Sequence, residues 1–298
     1  MPETGAVPEP RRRSVQCISP KGLHRIAYLE WGDARNRDVL VCVHGLTRNA
    51  RDFDDLARAL CGRFRVVCPD VAGRGDSDRL AEPMLYVTPQ YVSDMVTLIA
   101  RLDVEAVSWV GTSMGGLIGM ALAAQAGTPV KRLILNDAGP VLAKAALERI
   151  GNYVGRAPVF PTFEEAEKYI RSVCAPFGPH SDAQWRFLTE IWVRKSEDGA
   201  HPPVYRAHYD PRIAEPFRAT MPEKDLEMWP VYDAIRCPTL VIRGADSDLL
   251  AKKTTQEMAG RGPKARLVEI PGVGHAPTLM HAGQIAIVRD FLLEGGSS

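Results

Sequence analysis

The residues best suited to chemistry gather around Ser113, at the apex of Gly111-Thr112-Ser113-Met114-Gly115. An apolar run, Ala106 to Val110, leads into it, and a run rich in Ala, Leu and Met, Gly116 to Ala126, leads away. Strand, tight turn and helix is the context in which a serine is presented as a nucleophile. Such a turn imposes strained backbone angles on the serine, and flanking glycines let strand and helix pass closely. A helix that begins at the nucleophile also turns its positive end towards developing negative charge. The pentapeptide alone reads equally well as a plain glycine-rich turn. A nucleophilic serine further requires a base, an acid to orient that base, and donors for an oxyanion.

The predicted base is His275. Of the seven histidines it alone lies in a Gly-rich loop, Pro271-Gly272-Val273-Gly274-His275, at the end of a late strand, Arg266 to Ile270. The predicted oxyanion donors are the main-chain N–H groups of Leu46 and Met114, the second being the residue after the nucleophile. Leu46 follows His44-Gly45, where the strand Val39 to Val43 ends and a glycine lets the backbone turn. His44 itself is expected to brace this loop by hydrogen bonds.

The elements that must position these groups alternate along the chain. Val15 to Ser19 and His24 to Trp31 predict a hairpin around Pro20-Lys21-Gly22. Val39 to Val43 is a continuous apolar run, as in a strand buried on both faces. A helix over Arg51 to Leu60, a strand over Phe64 to Cys68, a turn-rich loop from Pro69 to Ser77 and a helix from Thr88-Pro89 to about Leu102 follow. After the Ser113 strand and helix comes a strand over Lys131 to Asn136. This alternation predicts a doubly wound, mostly parallel sheet covered on both faces. It breaks between Gly139 and about Pro230, where helical signals occur without strands. Thr162 with Glu165 and Ser181 with Gln184 fit capping boxes. The pattern resumes with Pro238 to Gly244, a helix near Lys252, the strand Arg266 to Ile270 and a last helix from about Pro277 to Leu293. We therefore expect an α/β core over residues 14–138 and 231–298, and an all-helical insertion over 139–230. Trp185, Trp192, Tyr209, Phe217 and Trp229 of the insertion are candidates to line a pocket at the carboxyl ends of the strands.

Composition restricts the partners. The 298 residues are 45% hydrophobic and 24% charged, with a formal net charge of +1. That balance is ordinary for a globular protein and argues against nucleic acid or a polyanionic surface as the main partner. No apolar run is long enough for a membrane helix. Residues 1–13 are Pro-rich, end in Arg11-Arg12-Arg13 and lack the apolar segment of a secretory signal, so they read as a disordered tail. The six cysteines are widely spaced with no C-x-x-C pair, which suits free thiols in a reducing cytoplasm.

From Val15 to Leu293 the chain resembles the α/β-hydrolase superfamily. The matching features are His44-Gly45, Asp70-x-x-Gly73-x-Gly75-x-Ser77, Gly111-Thr112-Ser113-Met114-Gly115-Gly116 and Gly274-His275, in order. The resemblance implies an eight-stranded sheet with a cap after the sixth strand, a Ser–His–acid triad, and neither metal nor organic cofactor. A serine nucleophile argues against the dehalogenases and epoxide hydrolases of that superfamily, which use Asp. The family's commonest acid position, in the turn after the seventh strand, is occupied here by Ser247, flanked by Asp246 and Asp248. The family's other position, at the end of the sixth strand, holds Asp137. Asp137 is the preferred acid and Asp248 the alternative. The resemblance points to a serine hydrolase of a small ester, thioester or lactone. Carbon–carbon bond hydrolysis of ring-fission products, perhydrolase activity and a non-catalytic small-molecule receptor are the alternatives.

Overall fold

The computed structural model describes residues 8–196 and 203–294. The chain opens with a hairpin, β1 (Arg11–Ser19) and β2 (Gly22–Trp31), antiparallel and in register from Arg11↔Glu30 to Ser19↔Gly22. The expected tail therefore ends sooner than residue 13. Arg11 to Arg13 continue the strand because their charge is met: Glu30, 2% exposed, takes Arg11 Nε at 3.1 Å and Arg65 Nη2 at 2.6 Å. A buried carboxylate between two guanidiniums turns a basic run into a sheet edge. Residues 1–7 lie outside the described residues.

Next come β3 (Val39–Val43), α1 (Asp54–Leu60), β4 (Arg65–Pro69), α2 (Thr88–Arg101), β5 (Val107–Thr112), α3 (Met114–Ala123) and β6 (Val130–Asn136). All five residues of β3 are buried. Val39, Val41 and Val43 face one layer with Met95, Leu98 and Ile118; Leu40 and Cys42 face the other with Leu56, Leu60 and Phe291. Alternation between two apolar layers explains the unbroken hydrophobic run.

The insertion departs from expectation. It contains α4 (Lys144–Gly151), α5 (Phe163–Val173), α6 (Asp182–Trp192), α7 (Ala214–Ala219) and α8 (Trp229–Ala234), but also five short strands. β7 (Val141–Leu142) pairs with β11 (Leu226–Glu227). β8 (Val159–Phe160), β10 (Tyr205–Ala207) and β9 (Val193–Lys195) form a three-stranded sheet in that order. Strands of two or three residues are too short to show a period, and their partners are remote in sequence. Ser181 and Gln184 form the expected capping box, while Thr162 caps α5 through the Glu165 amide.

The core closes with β12 (Thr239–Gly244), α9 (Lys252–Gly260), β13 (Arg266–Ile270) and α10 (Ala282–Leu293). The eight-stranded sheet runs β1-β2-β4-β3-β5-β6-β12-β13, and all pairings except those of β2 are parallel. From β3 the chain steps to one side to form β4, then back to the other to form β5. That reversal opens a crevice at the carboxyl ends of the strands. His44 follows β3 and Ser113 follows β5 at this edge. No helix among the described residues is long and apolar enough to cross a membrane.

The tightest approach in the core is α3 against β3. A Cβ on Gly115 would lie 2.0 Å from the Val43 carbonyl oxygen, and one on Gly111 2.2 Å from the Gly115 carbonyl oxygen. Main chain cannot yield as a flexible side chain can. Gly115→Ala should cost about 3 kcal/mol of stability through overpacking, read as a lower urea midpoint. Gly283→Ala, where the added methyl meets nothing within 4 Å, should leave the midpoint unchanged or slightly raised.

Candidate active site

Ser113 sits at the top of β5 with φ 51° and ψ −114°, left-handed backbone for a residue with a Cβ. The surroundings hold it there. Its N–H donates to the Asn136 carbonyl at 2.9 Å, and its own carbonyl accepts from Gly116 N–H at 2.8 Å. Trp109 Nε1 donates to the Gly115 carbonyl at 3.0 Å from beneath the first turn of α3. Positive φ is tolerated when the surroundings over-determine it, and it lifts Oγ clear of the sheet.

Ser113 Oγ lies 2.9 Å from His275 Nε2, and His275 Nδ1 lies 2.7 Å from Asp137 Oδ2. Asp137 directly follows β6, also at positive φ (50°), with no exposed surface. Its carboxylate has two further donors. Ser247 Oγ donates to Oδ2 at 2.7 Å, and Gly244 N–H to Oδ1 at 3.3 Å. Ser247, in the usual acid position, thus supports the aspartate on the neighbouring strand. Asn136 adds a tie, its Nδ2 donating to the Pro277 carbonyl at 2.8 Å and so pinning the loop that carries His275. With Nδ1–H directed at Asp137, Nε2 is free to accept the serine proton.

Asp248 is placed elsewhere. It pairs bidentately with Arg149 of α4, at 2.6 and 3.0 Å, and is half exposed. The turn after β12 directs Ser247 inward to Asp137 and Asp248 outward to Arg149, so Asp248 ties core to cap.

Leu46 and Met114 both border the cavity beside Ser113. Met114 is the first residue of α3, where an N–H has no partner within the helix. His44 is fully buried and braces the loop: its Nδ1 is 2.7 Å from the Gly45 carbonyl, and its Nε2 accepts from Val71 N–H at 2.9 Å. Burial pushes its pKa down to about 3, with the Arg74 and Arg48 charges adding to the effect. A neutral imidazole suits both bonds.

Between core and cap lies a cavity of about 870 Å³. Trp192, Tyr209 and Phe217 line it, with Tyr169, Phe177 and Leu188. Trp185 and Trp229 do not. Trp185 packs on His180, with ring centroids 5.0 Å apart, and Trp229 stacks under the Arg261 guanidinium at 4.4 Å. All three tryptophans sit at helical positions, so spacing could not separate the pocket wall from the cap's own interior. Arg48 and Asp52 are polar members of the wall, ion-paired at 2.6 Å.

Cys17, His24 and Asp94 form the group of metal-capable side chains among the described residues. They lie on the β1–β2 hairpin and α2, with His24 Nε2 already 3.0 Å from Asp94 Oδ1 and burial pushing the Cys17 thiol up to about 12. That is a packed structural cluster, remote in the topology from the strand ends that carry Ser113. All six cysteines are free.

A profile described as "Alpha/beta hydrolase family" matches residues 40–286. The chain belongs to the alpha/beta hydrolase family. This hydrolase is similar to the 3-hydroxybutyrate-oligomer hydrolase of Cupriavidus necator, 55% identical over 95% of the chain and 97% of that protein. It is also similar, at 29% identity over 78% of each chain, to the 2-hydroxymuconate semialdehyde hydrolase of Pseudomonas sp. strain CF600. A solved structure titled as a putative hydrolase from Rickettsia typhi superposes with a TM-score of 0.87 at 34% identity, covering 97% of this chain and all of that one.

The two buried tryptophans of α6 offer a direct test of which side chains form the pocket wall. Trp192→Ala should change the ratio of long-chain to short-chain p-nitrophenyl ester turnover by about tenfold, since each methylene in an apolar pocket is worth that order. Trp185→Ala should lower the melting temperature and leave that ratio in place.

Proposed function

We propose that the protein is a serine ester hydrolase acting through an acyl-enzyme on oligomeric esters of short 3-hydroxy acids. The observation that carries the mechanism is the unbroken line Ser113 Oγ–His275 Nε2, His275 Nδ1–Asp137 Oδ2, at 2.9 and 2.7 Å. The substrate class is supported by the relative that is 55% identical over nearly the whole of both chains.

In this reading His275 Nε2 takes the Ser113 proton as Oγ bonds to the ester carbon. The former carbonyl oxygen becomes an oxyanion received by the Leu46 and Met114 amides. Asp137 accepts from Nδ1–H and stabilises the imidazolium. Collapse of the intermediate breaks the carbon–oxygen bond, and the imidazolium gives its proton to the departing alkoxide. Water then enters, loses a proton to His275 and attacks the acyl carbon, releasing the acid and restoring Ser113. The apolar cavity suits a short acyl chain and keeps bulk water from these charges.

The relative at 29% identity makes 2-hydroxymuconate semialdehyde the competing substrate. Turnover of 3-hydroxybutyrate trimer at least about 10²-fold above that of the semialdehyde, a gap that polar mismatch in a buried site readily produces, is the expected result. The reverse order would replace the substrate assignment.

Two substitutions test the groups. Ser113→Ala should abolish both turnover and labelling by a fluorophosphonate while leaving the fold intact; persistent labelling would remove Ser113 from its role. Asp137→Asn keeps shape but not charge, and should lower kcat by about 10²–10⁴. Asp248→Asn, which loses only its Arg149 ion pair, should cost under about tenfold. A crippled Asp248→Asn beside a near-normal Asp137→Asn would reverse the assignment.

A further inference from the structure

We infer that Arg74 is a positioning residue of the oxyanion hole, its guanidinium holding Leu46 and Met114 in one fixed relation. The inference rests on the acyl-enzyme mechanism proposed above, in which the amides of those two residues receive the oxyanion.

Arg74 lies between two glycines whose conformations direct it inward. Gly73 has φ +79° and a Cβ there would strike the Tyr86 ring at 2.7 Å; Gly75 has φ +53° and a Cβ would strike the Asp70 carboxylate at 2.2 Å. That carboxylate is itself bonded, accepting from the Ala50 and Asp76 amides at 2.7 and 2.8 Å. The loop is therefore closed around its own anchors, and Arg74 is 1% exposed.

The guanidinium reaches both halves of the hole. Nε donates to the Leu46 carbonyl at 2.9 Å, and Nη2 lies 3.6 Å from Met114 Sδ. Nη1 is fixed from behind by the Ala72 carbonyl at 2.7 Å and the Tyr91 hydroxyl at 2.9 Å. The rings of Tyr86 and Tyr91 flank it, with centroids 5.6 and 5.2 Å from Cζ. A rigid planar fork suits such a task better than any other cation.

Leu46 belongs to a turn closed by Arg48 N–H on the Gly45 carbonyl at 3.1 Å, a bond that leaves the Leu46 N–H unused. The Leu46 N–H shares a peptide plane with the Gly45 carbonyl, which His44 Nδ1 and Arg48 N–H hold. Arg74 fixes the following plane through the Leu46 carbonyl, so Leu46 is held on both sides and its N–H keeps one direction. The Met114 side chain, fixed at the other end of the same guanidinium, sets the start of α3 against this turn. Donor placement within a few tenths of an ångström is what makes an oxyanion hole effective.

The four acceptors named above are two carbonyls, a phenol and a thioether, all neutral. Burying a guanidinium on neutral partners is costly, and an apolar side chain of similar volume would fill the space without that cost. What an apolar replacement cannot do is bond the Leu46 carbonyl, so the arrangement makes sense for the loop it holds.

The test is steady-state kinetics on p-nitrophenyl butyrate, paired with inhibition by an alkyl trifluoromethyl ketone. Ser113 Oγ adds to that ketone's carbonyl carbon, His275 takes the proton, and the oxygen remains as an oxyanion in the hole. Arg74→Met and Arg74→Lys should each lower kcat by about 10²-fold, the loss that follows removal of one oxyanion donor, and weaken the ketone by a similar factor. KM should stay within about threefold, because the ground-state ester depends little on the hole. Tyr91→Phe, which removes a single hold on the guanidinium, should show the same pattern at about three- to tenfold, the worth of one hydrogen bond. If the Arg74 variants do not fold, Tyr91→Phe decides. Unchanged kcat, or a loss shared equally by KM while ketone affinity holds, overturns the inference and leaves the mechanism standing. A wild-type protein that neither turns over the ester nor binds the ketone overturns the mechanism itself.

Discussion

A carboxylate with no exposed surface governs the architecture of this site. Asp137 is fully buried just past β6, where a polar group without partners is costly. Three donors meet its carboxyl group: His275 Nδ1, Ser247 Oγ and the Gly244 amide. Each comes from a different place in the core: the loop after β13, the turn after β12, and the end of β12 itself. Satisfying one charge therefore fixes three segments against one another. The backbone of Asp137 contributes as well, since its N–H bonds the Ile242 carbonyl at 2.7 Å. A site assembled this way is rigid before substrate arrives.

The second constraint is closeness. The distances from Gly115 to Val43 and from Gly111 to Gly115 leave no room for a methyl group. The serine can rise above the sheet only because the helix behind it touches the strand main chain. The apolar layers on both faces of β3 and β5 supply the burial that holds this contact closed. Strain at Ser113 and Asp137, both at positive φ, is thus carried by packing in the same few strands.

The cap walls the cavity beside Ser113. Its small three-stranded sheet and helices place Trp192, Tyr209 and Phe217 over Ser113, with ring contacts such as Trp192–Tyr169 at 5.7 Å. Ion pairs such as Arg149–Asp248 join cap to core at the rim, where solvent weakens them. The cavity below, beside Ser113 and His275, is lined mainly by apolar side chains.

Much of this was legible in the sequence, for a physical reason. The strand–turn–helix at Ser113, the apolar parallel strands and the late histidine loop are local patterns, written in consecutive residues whose spacing reflects one turn or one strand. Ser113 and His275, whose side chains lie 2.9 Å apart, follow from such patterns. Partnerships between distant segments do not. Asp137 and His275 are 138 residues apart, and Asp137 and Ser247 are 110 apart. Whether Asp137 or Asp248 faced the histidine depended on how the turn after β12 lay beside β6. The same holds for Arg11 to Arg13, a solvated tail by composition until Glu30 and the hairpin register made them a strand. It holds for the cap strands of two or three residues, and for Trp185 and Trp192, seven positions apart on α6, of which only the second reaches the cavity. The sequence determined which local shapes could form. Tertiary packing decided which charges and rings meet, because burial and pairing energies exist only once remote segments are in contact.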